Sequence, residues 1–301
     1  MDSSLAEIFI EFKWDTGDDP FSTGPTFLHD SKNVHNTLGQ ITSYVGVQLG
    51  AQFQMHVYFV FILQKTARIL RWDRSGAIVM DAFEYNTLPH LAKFFCQYSL
   101  ALPTMHGNDD TVSCPTSSEA CAARKALGLG KKDPLVKLSI HGADGKPLYF
   151  VTSTPEAPVY APPGCTTCGF KAYDLSHSRM VFLKDSWRID VEGIQLEGEV
   201  YETLHKAEVP HVPQCLTWGD ISTDDYHSTA TWRYTSTPWA VFSETPSTHF
   251  LPHQHYRLTL DIGGHTLVEY HSSYEMVSTV QDGIIGVFPK IISAKLYNTT
   301  G

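Results

Sequence analysis

The sequence has no excess of positive charge and no long apolar run, and both absences limit what the protein can do. Its 301 residues contain 22 lysines and arginines against 32 aspartates and glutamates, a formal net charge of −10. No basic field is therefore present to attract nucleic acid or an anionic membrane. The longest strongly apolar run, Val57 to Leu63, is far too short to cross a bilayer. The first residues lack the basic region and apolar core of a secretory signal, so we expect an intracellular protein, cytoplasmic or nuclear.

Cysteine is also sparse, which excludes the disulfide-rich scaffolds of small secreted domains. Six cysteines in a chain of this length do not form such a framework. Cys165-x-x-Cys168 and His211-x-x-x-Cys215 have the spacing of zinc ligands, but a single CxxC with a mixed partner is a weak signal, so we prefer buried or surface thiols and keep structural zinc as the alternative. We therefore assign no metal-binding residue. The apolar content of 42% and charged content of 18% are typical of a folded, globular protein.

Hydrophobic periodicity predicts an α+β fold with two folded regions. Before residue 105 it predicts a strand over 7–14, a helix over 36–53, three further strands and a helix over 88–102. The later part shows short strands, one helix over 196–206 and a helix that starts near residue 272. The resulting division is a small α/β domain over 1–105, a connector with a short helix over 106–132, a second domain over 133–282 and a divergent tail over 283–301.

A lysine closes an apolar strand of the second domain, and a helix with two glutamates follows it. The lysine is Lys184, the glutamates are Glu197 and Glu199, and the glycine-bounded segment Gly164 to Gly169 precedes them. A protein-kinase small lobe holds nucleotide phosphates with such a lysine and glutamate, and glycines let the backbone approach a phosphate closely. We prefer Glu199 as the partner because it directly precedes an apolar helix face. The alternative is a strand-end lysine that reaches solvent beside solvated helix charges.

Seven segments in the same order resemble the fungal-type protein kinases, and the resemblance runs from about residue 5 to 282. They are Gly39-Gln-Ile-Thr-Ser-Tyr44, Arg71-Trp-Asp-Arg-Ser-Gly-Ala77, Gly169-Phe-Lys-Ala-Tyr-Asp174, Phe182-Leu-Lys-Asp-Ser-Trp-Arg188, Glu197-Gly-Glu-Val-Tyr201, Val209-Pro-His-Val-Pro213 and Tyr256-Arg-Leu-Thr-Leu-Asp261. The resemblance implies a protein-kinase-like small lobe over 133–282, built as an antiparallel sheet plus one helix. It also implies ATP and magnesium as cofactors, with Gly164, Gly169, Lys184 and Glu199 as the cofactor-binding residues.

The chain departs from that family after residue 282. It contains no His-Arg-Asp catalytic loop, and its tail matches nothing that the family places there. The general base and the magnesium ligands of a kinase are therefore missing, so we assign no catalytic residue and expect a truncated family member without phosphotransfer activity. One alternative is an active serine/threonine kinase whose gene model lacks the large lobe, and another is a non-enzymatic interaction module. We expect weak nucleotide binding and a protein partner or self-association through the exposed small-lobe surface.

The first domain resembles the PD-(D/E)xK nuclease superfamily in one strand-helix signature. Glu11-Phe-Lys13 ends a strand, and Gln40 and Tyr44 lie on the next helix. Such nucleases hold magnesium between two carboxylates, and the lysine orients the attacking water. The aspartate that the superfamily places on an earlier strand has no counterpart here, so we interpret the domain as a degenerate relative.

Overall fold

The computed structural model describes residues 6–22, 27–142, 145–153, 164, 166–222, 225–241, 250–261 and 270–281. Over these residues the fold is α+β, which confirms the predicted class. Two separate sheets and the helices that pack on them make up the structure. No helix among the described residues is long and apolar enough to cross a membrane.

The first sheet has five strands and lies between two helices. Its strands are β1 (Phe9–Phe12), β2 (Val57–Ile62), β3 (Thr66–Asp73), β4 (Gly76–Val79) and β5 (Phe83–Glu84), and its helices are α1 (Lys32–Ala51) and α2 (His90–Leu100). β1 is parallel to β2, whereas β3 is antiparallel to β2, β4 and β5. Alternate residues of β2 point to opposite faces. Phe59 and Phe61 accordingly pack towards α1, and Val60 and Ile62 pack towards α2.

Helix α1 forms where its periodicity predicts. Ser31 caps its first turn by accepting a hydrogen bond from the backbone N–H of Val34. Ile41, Val45 and Leu49 recur at four-residue spacing and are almost completely buried against the sheet. Local pattern and tertiary packing therefore agree in this part of the chain.

The second sheet has seven antiparallel strands, in the spatial order β11-β12-β10-β9-β8-β7-β6. The strands are β6 (Val112–Ser113), β7 (Val136–His141), β8 (Pro147–Thr152), β9 (Thr167–Asp174), β10 (Arg179–Ile189), β11 (Cys215–Asp220) and β12 (His253–Leu260). Helix α3 (Ser117–Leu127) packs on β8, β9 and β10, and helix α4 (Glu197–Lys206) packs on β11. The segment 106–132, which sequence alone makes a connector, thus contributes an edge strand and a helix to this sheet.

Asp73-Arg-Ser-Gly76 has the composition of a hairpin turn and joins β3 to β4, and its side chains also contact the segment between β11 and β12. The Asp73 carboxylate accepts hydrogen bonds from the backbone N–H groups of Ala230 and Thr231, both at 2.9 Å. Ser75 donates to the carbonyl of Leu251 at 2.7 Å. These contacts join the β3–β4 turn of the first sheet to the segment that connects β11 and β12 of the second.

The predicted helix near residue 272 is present over 273–281. Of the apolar residues that sequence suggests for an exposed small-lobe surface, only Tyr270 and Met276 fall within the described part of the chain. Tyr270 is exposed and Met276 is half-buried. The other candidates, Leu267, Ile284, Ile285, Val287 and Phe288, lie outside the described residues.

Candidate functional site

Lys184 lies in the middle of β10, on the sheet face that helix α4 covers. Its register partners are Gly169 on β9 and Leu258 on β12. Directly opposite residues of an antiparallel pair share a face. Lys184 and Leu258 therefore lie on the same face, and Trp218 of β11, which is opposite Leu258, joins them.

The Lys184 ammonium contacts the first residue of α4. Its Nζ lies 2.7 Å from both carboxylate oxygens of Glu197. The Lys184 and Glu197 side chains are 26% and 36% exposed, so solvent reaches the ion pair and screens its charges. An exposed pair of this kind contributes only about 0–1 kcal/mol to stability. Its main consequence is geometric, because it fixes the direction in which the ammonium points.

The preference for Glu199 as the partner of Lys184 is corrected by this contact. Residues two apart on a helix point to different sides, so Glu197 and Glu199 cannot both face the strand. The Glu199 carboxylate instead accepts a hydrogen bond from the backbone N–H of Leu196, at 3.2 Å. Glu199 thus satisfies a donor at the start of the helix, where a negative charge is also favourable.

The two glycines assigned to a phosphate-facing loop have other roles here. Gly169 lies within β9, where an added Cβ would come 2.6 Å from the Phe182 ring, so its missing side chain is explained by packing. Gly164 has a φ of +106° and donates its N–H to the carbonyl of Arg74 at 2.8 Å. Neither backbone group faces Lys184 as part of a loop. Most of the segment between β8 and β9, including Cys165, lies outside the described residues.

The opposite face of the second sheet holds a buried cluster of charges. Arg257 on β12 is fully buried, and its guanidinium contacts Asp185 and Asp109, each at 2.6 Å. The same group donates to Thr111 at 2.7 Å and to the carbonyl of Ser139 at 2.9 Å. The cluster thereby joins β12 and β10 to the segment just before β6. A buried arginine that is fully paired in this way is strongly destabilising to remove.

The Asp185 carboxylate is the ionic centre of that cluster. Burial by itself would raise the pKa of Asp185, but His255 and Arg257 outweigh it and hold that pKa below its usual range. Asp109 has a lowered pKa for the same reason, because burial is outweighed by Arg257 and His255. Burial also opposes the charge on Arg257, yet the two carboxylates raise its pKa. The three groups therefore stay ionised together.

Two histidines extend the cluster towards the surface. His255 Nε2 lies 2.8 Å from Asp185, and its Nδ1 lies 3.3 Å from Nδ1 of His227. His227 Nε2 in turn lies 2.9 Å from the exposed carboxylate of Asp110. Burial, followed by repulsion from His255, lowers the pKa of His227. The sequence leaves two interpretations of His253-Gln-His255 open: a solvent loop, which we prefer, or two imidazoles on one strand face. Both histidines are buried in β12, so the solvent-loop interpretation is wrong.

Asp109, Asp110 and His227 place ligand atoms within 4.8 Å of one another, and they are the one such group found in the described part of the chain. The surroundings do not fit a metal ion. One Asp109 oxygen accepts from the Thr111 hydroxyl and N–H, and the other accepts from Arg257. A cation would have to displace these donors beside a guanidinium, so we interpret the group as part of the ionic cluster.

A small cavity lies beside the same cluster. It has a volume of about 50 Å³ and its lining includes Arg74, Asp185 and His255. Such a volume accommodates a few water molecules at most. Because it also lies on the face opposite Lys184, it does not serve as a nucleotide site.

The residues of the nuclease-like signature lie close together, but they include only one carboxylate. Lys13 Nζ lies 3.1 Å from the Glu11 carboxylate and 2.7 Å from the side-chain oxygen of Gln40. No further carboxylate, histidine or cysteine joins them into a metal-binding group among the described residues. Cys168, His211 and Cys215 likewise form no metal-binding group among the described residues, and Cys165, the fourth residue of the zinc-like spacing, lies outside them.

No protein-family model, curated protein or solved structure matches this chain. The resemblance to the fungal-type kinases thus depends on the sequence motifs alone.

Proposed function

We propose that the second sheet and α4 form a nucleotide-phosphate-binding lobe of the protein-kinase type, in which Lys184 contacts the phosphates. The observation that carries the proposal is the contact of Lys184 Nζ with both Glu197 oxygens at 2.7 Å. In protein kinases a strand lysine and a glutamate of the following helix must pair for the phosphates to be held. Here the lysine and glutamate come in the same order, on a strand and the next helix.

The order of elements around the pair supports the same proposal. Three consecutive antiparallel strands, β8, β9 and β10, lead to the lysine, and α4 follows. The chain then returns through β11 and β12, and β12 lies between β11 and β10. An antiparallel sheet plus one helix is what the family resemblance implies, and α3 is an additional helix on this sheet. Glu197 thereby replaces Glu199 in the proposed site.

Lys184 has the donor capacity that a phosphate requires. A lysine ammonium carries three N–H donors, and two contacts to Glu197 leave one for a phosphate oxygen. Its partial exposure leaves it accessible. Among the described residues no metal-ligating group lies on this face, so we assign no residue to magnesium. The proposal is one of binding, because the base and metal ligands of phosphotransfer come from other parts of a kinase.

Calorimetric titration with ATP tests the proposal. We expect weak binding to the wild-type protein that falls at least about tenfold in Lys184→Ala, since a hydrogen bond to a charged group contributes about 1.5–3 kcal/mol. Lys137→Ala is the matched control, because Lys137 lies in the same sheet and pairs with the Glu119 carboxylate at 3.2 Å. We expect that control to bind ATP as the wild type does. Equal affinity in wild type and Lys184→Ala, or no binding to the wild type, would refute the assignment.

A further inference from the structure

Helix α4 begins without a side-chain cap of its own. Its N-cap residue is Leu196, which offers no acceptor atom, although the first N–H groups of a helix need partners. The backbone N–H of Gly198 donates instead to the hydroxyl of Tyr256, at 2.9 Å. Tyr256 lies on β12 and is almost completely buried. A residue 58 positions later in the chain therefore takes the place of the missing cap.

The same turn of α4 is pressed against a tryptophan. A Cβ added to Gly198 would come 2.0 Å from the Trp218 ring, so the helix backbone and the indole are in close contact. Trp218 and Tyr256 belong to one apolar cluster with Leu258, the register partner of Lys184. The first turn of α4 is thus docked on β11 and β12, and β12 is the strand that pairs with β10 at Lys184.

We propose that Tyr256 and Trp218 are positioning residues that hold Glu197 on Lys184 before any ligand is bound. Glu197 directly precedes Gly198, so fixing the Gly198 backbone fixes the position from which the carboxylate reaches the lysine. The proposed function supplies only the role of Lys184 as phosphate ligand. The positioning itself follows from the contacts of the first turn of α4 with Trp218 and Tyr256.

The direction of this dependence follows from burial. The Lys184–Glu197 pair is partly exposed, and such pairs contribute little to holding two elements together. The Tyr256 hydroxyl and the Gly198 N–H are buried, and a buried donor that loses its acceptor is costly. The contacts of α4 with Trp218 and Tyr256 therefore position the ion pair, whereas the ion pair contributes little to keeping α4 on the sheet.

Acylation of lysines by a small amine-reactive ester, with no nucleotide present, measures the pair directly. A lysine held by a carboxylate reacts slowly, and mass spectrometry reads each lysine separately. We expect Lys184 to react at least about fivefold faster in Glu197→Gln and also in Tyr256→Phe, which keeps the ring and removes only the hydroxyl. Tyr201→Phe is the matched control, because its ring joins the same cluster but its hydroxyl makes no hydrogen bond among the described residues.

Lys137 serves as the internal reference in every sample. It pairs with Glu119 of α3 and not with a residue of α4, so we expect its rate to rise only when the fold loosens as a whole. The proposal is supported when Tyr256→Phe accelerates Lys184 alone and Tyr201→Phe does not. It is overturned when Tyr256→Phe leaves Lys184 unchanged, when Lys137 accelerates in parallel, or when Glu197→Gln has no effect. A protein that passes this test and does not bind ATP would sink the proposed function and leave the positioning intact.

Discussion

Arg257→Met is expected to lower the free energy of unfolding by about 3–5 kcal/mol, the cost of leaving buried charges without their partner. The substitution keeps a long side chain but removes the guanidinium that contacts Asp109 and Asp185 at 2.6 Å. Asp109 would then lose its main counter-charge, and Asp185 would retain only His255. Chemical denaturation at neutral pH, followed by circular dichroism, measures the loss.

Two further variants test whether the loss comes from the buried charges and not from the removal of a long basic side chain. Lys206→Met removes a lysine that is 80% exposed and pairs with Glu202 at 3.7 Å, so we expect a change of no more than about 0.5 kcal/mol. Adding Asp109→Asn and Asp185→Asn to Arg257→Met removes the unpaired charges and should recover part of the loss. If the free energy of unfolding of Arg257→Met lies within about 1 kcal/mol of the wild-type value, the cluster does not exist as described.

Gly198→Ala is expected to destabilise the protein by about 1–3 kcal/mol, although alanine is the better helix former. The new methyl group would lie 2.0 Å from the Trp218 ring, so the ring or the helix must move. The backbone conformation does not require glycine there, because the φ of Gly198 is not positive. The sign of the effect therefore separates packing from helix propensity.

Gly39→Ala is the matched control for that substitution. Gly39 is an exposed residue inside α1, and a Cβ added there meets nothing within 4 Å. Propensity then acts alone, and we expect a gain of up to about 1 kcal/mol. Denaturation curves for both variants check the pair of signs. A Gly198→Ala protein as stable as the wild type would contradict the docking of α4 on Trp218.

The elements that sequence predicts well are those whose pattern is local. Helix α1 repeats Ile41, Val45 and Leu49 on one face, and the turn Asp73 to Gly76 carries typical turn residues. β11 is difficult to predict from sequence, because Cys215 to Asp220 includes glycine and aspartate, which are poor strand formers. Its pairing with β12 stabilises it instead. Long-range pairing of that kind leaves no periodic signal in the strand itself.

The candidate site follows from sequence only as far as its pattern is local. Sequence places a lysine on a strand and two glutamates on the next helix, but which glutamate faces the lysine depends on how Gly198 docks. The buried cluster was not predicted at all. Arg257 meets Asp109 across 148 positions of sequence, and His227 meets Asp110 across 117. Only the alternation of His255, Arg257 and Thr259 on one face of β12 signals a polar environment there.

The most direct test of Lys184 as a phosphate-binding lysine is covalent labelling with an acyl-phosphate derivative of ATP, which acylates an amine lying at its phosphate end. The account predicts that Lys184 carries the label and that excess ATP prevents this labelling. Lys206, which is 80% exposed, should react with the ATP derivative no faster than it reacts with an acylating ester that carries no nucleotide. Labelling that spreads over exposed lysines, spares Lys184 and ignores ATP would contradict the account.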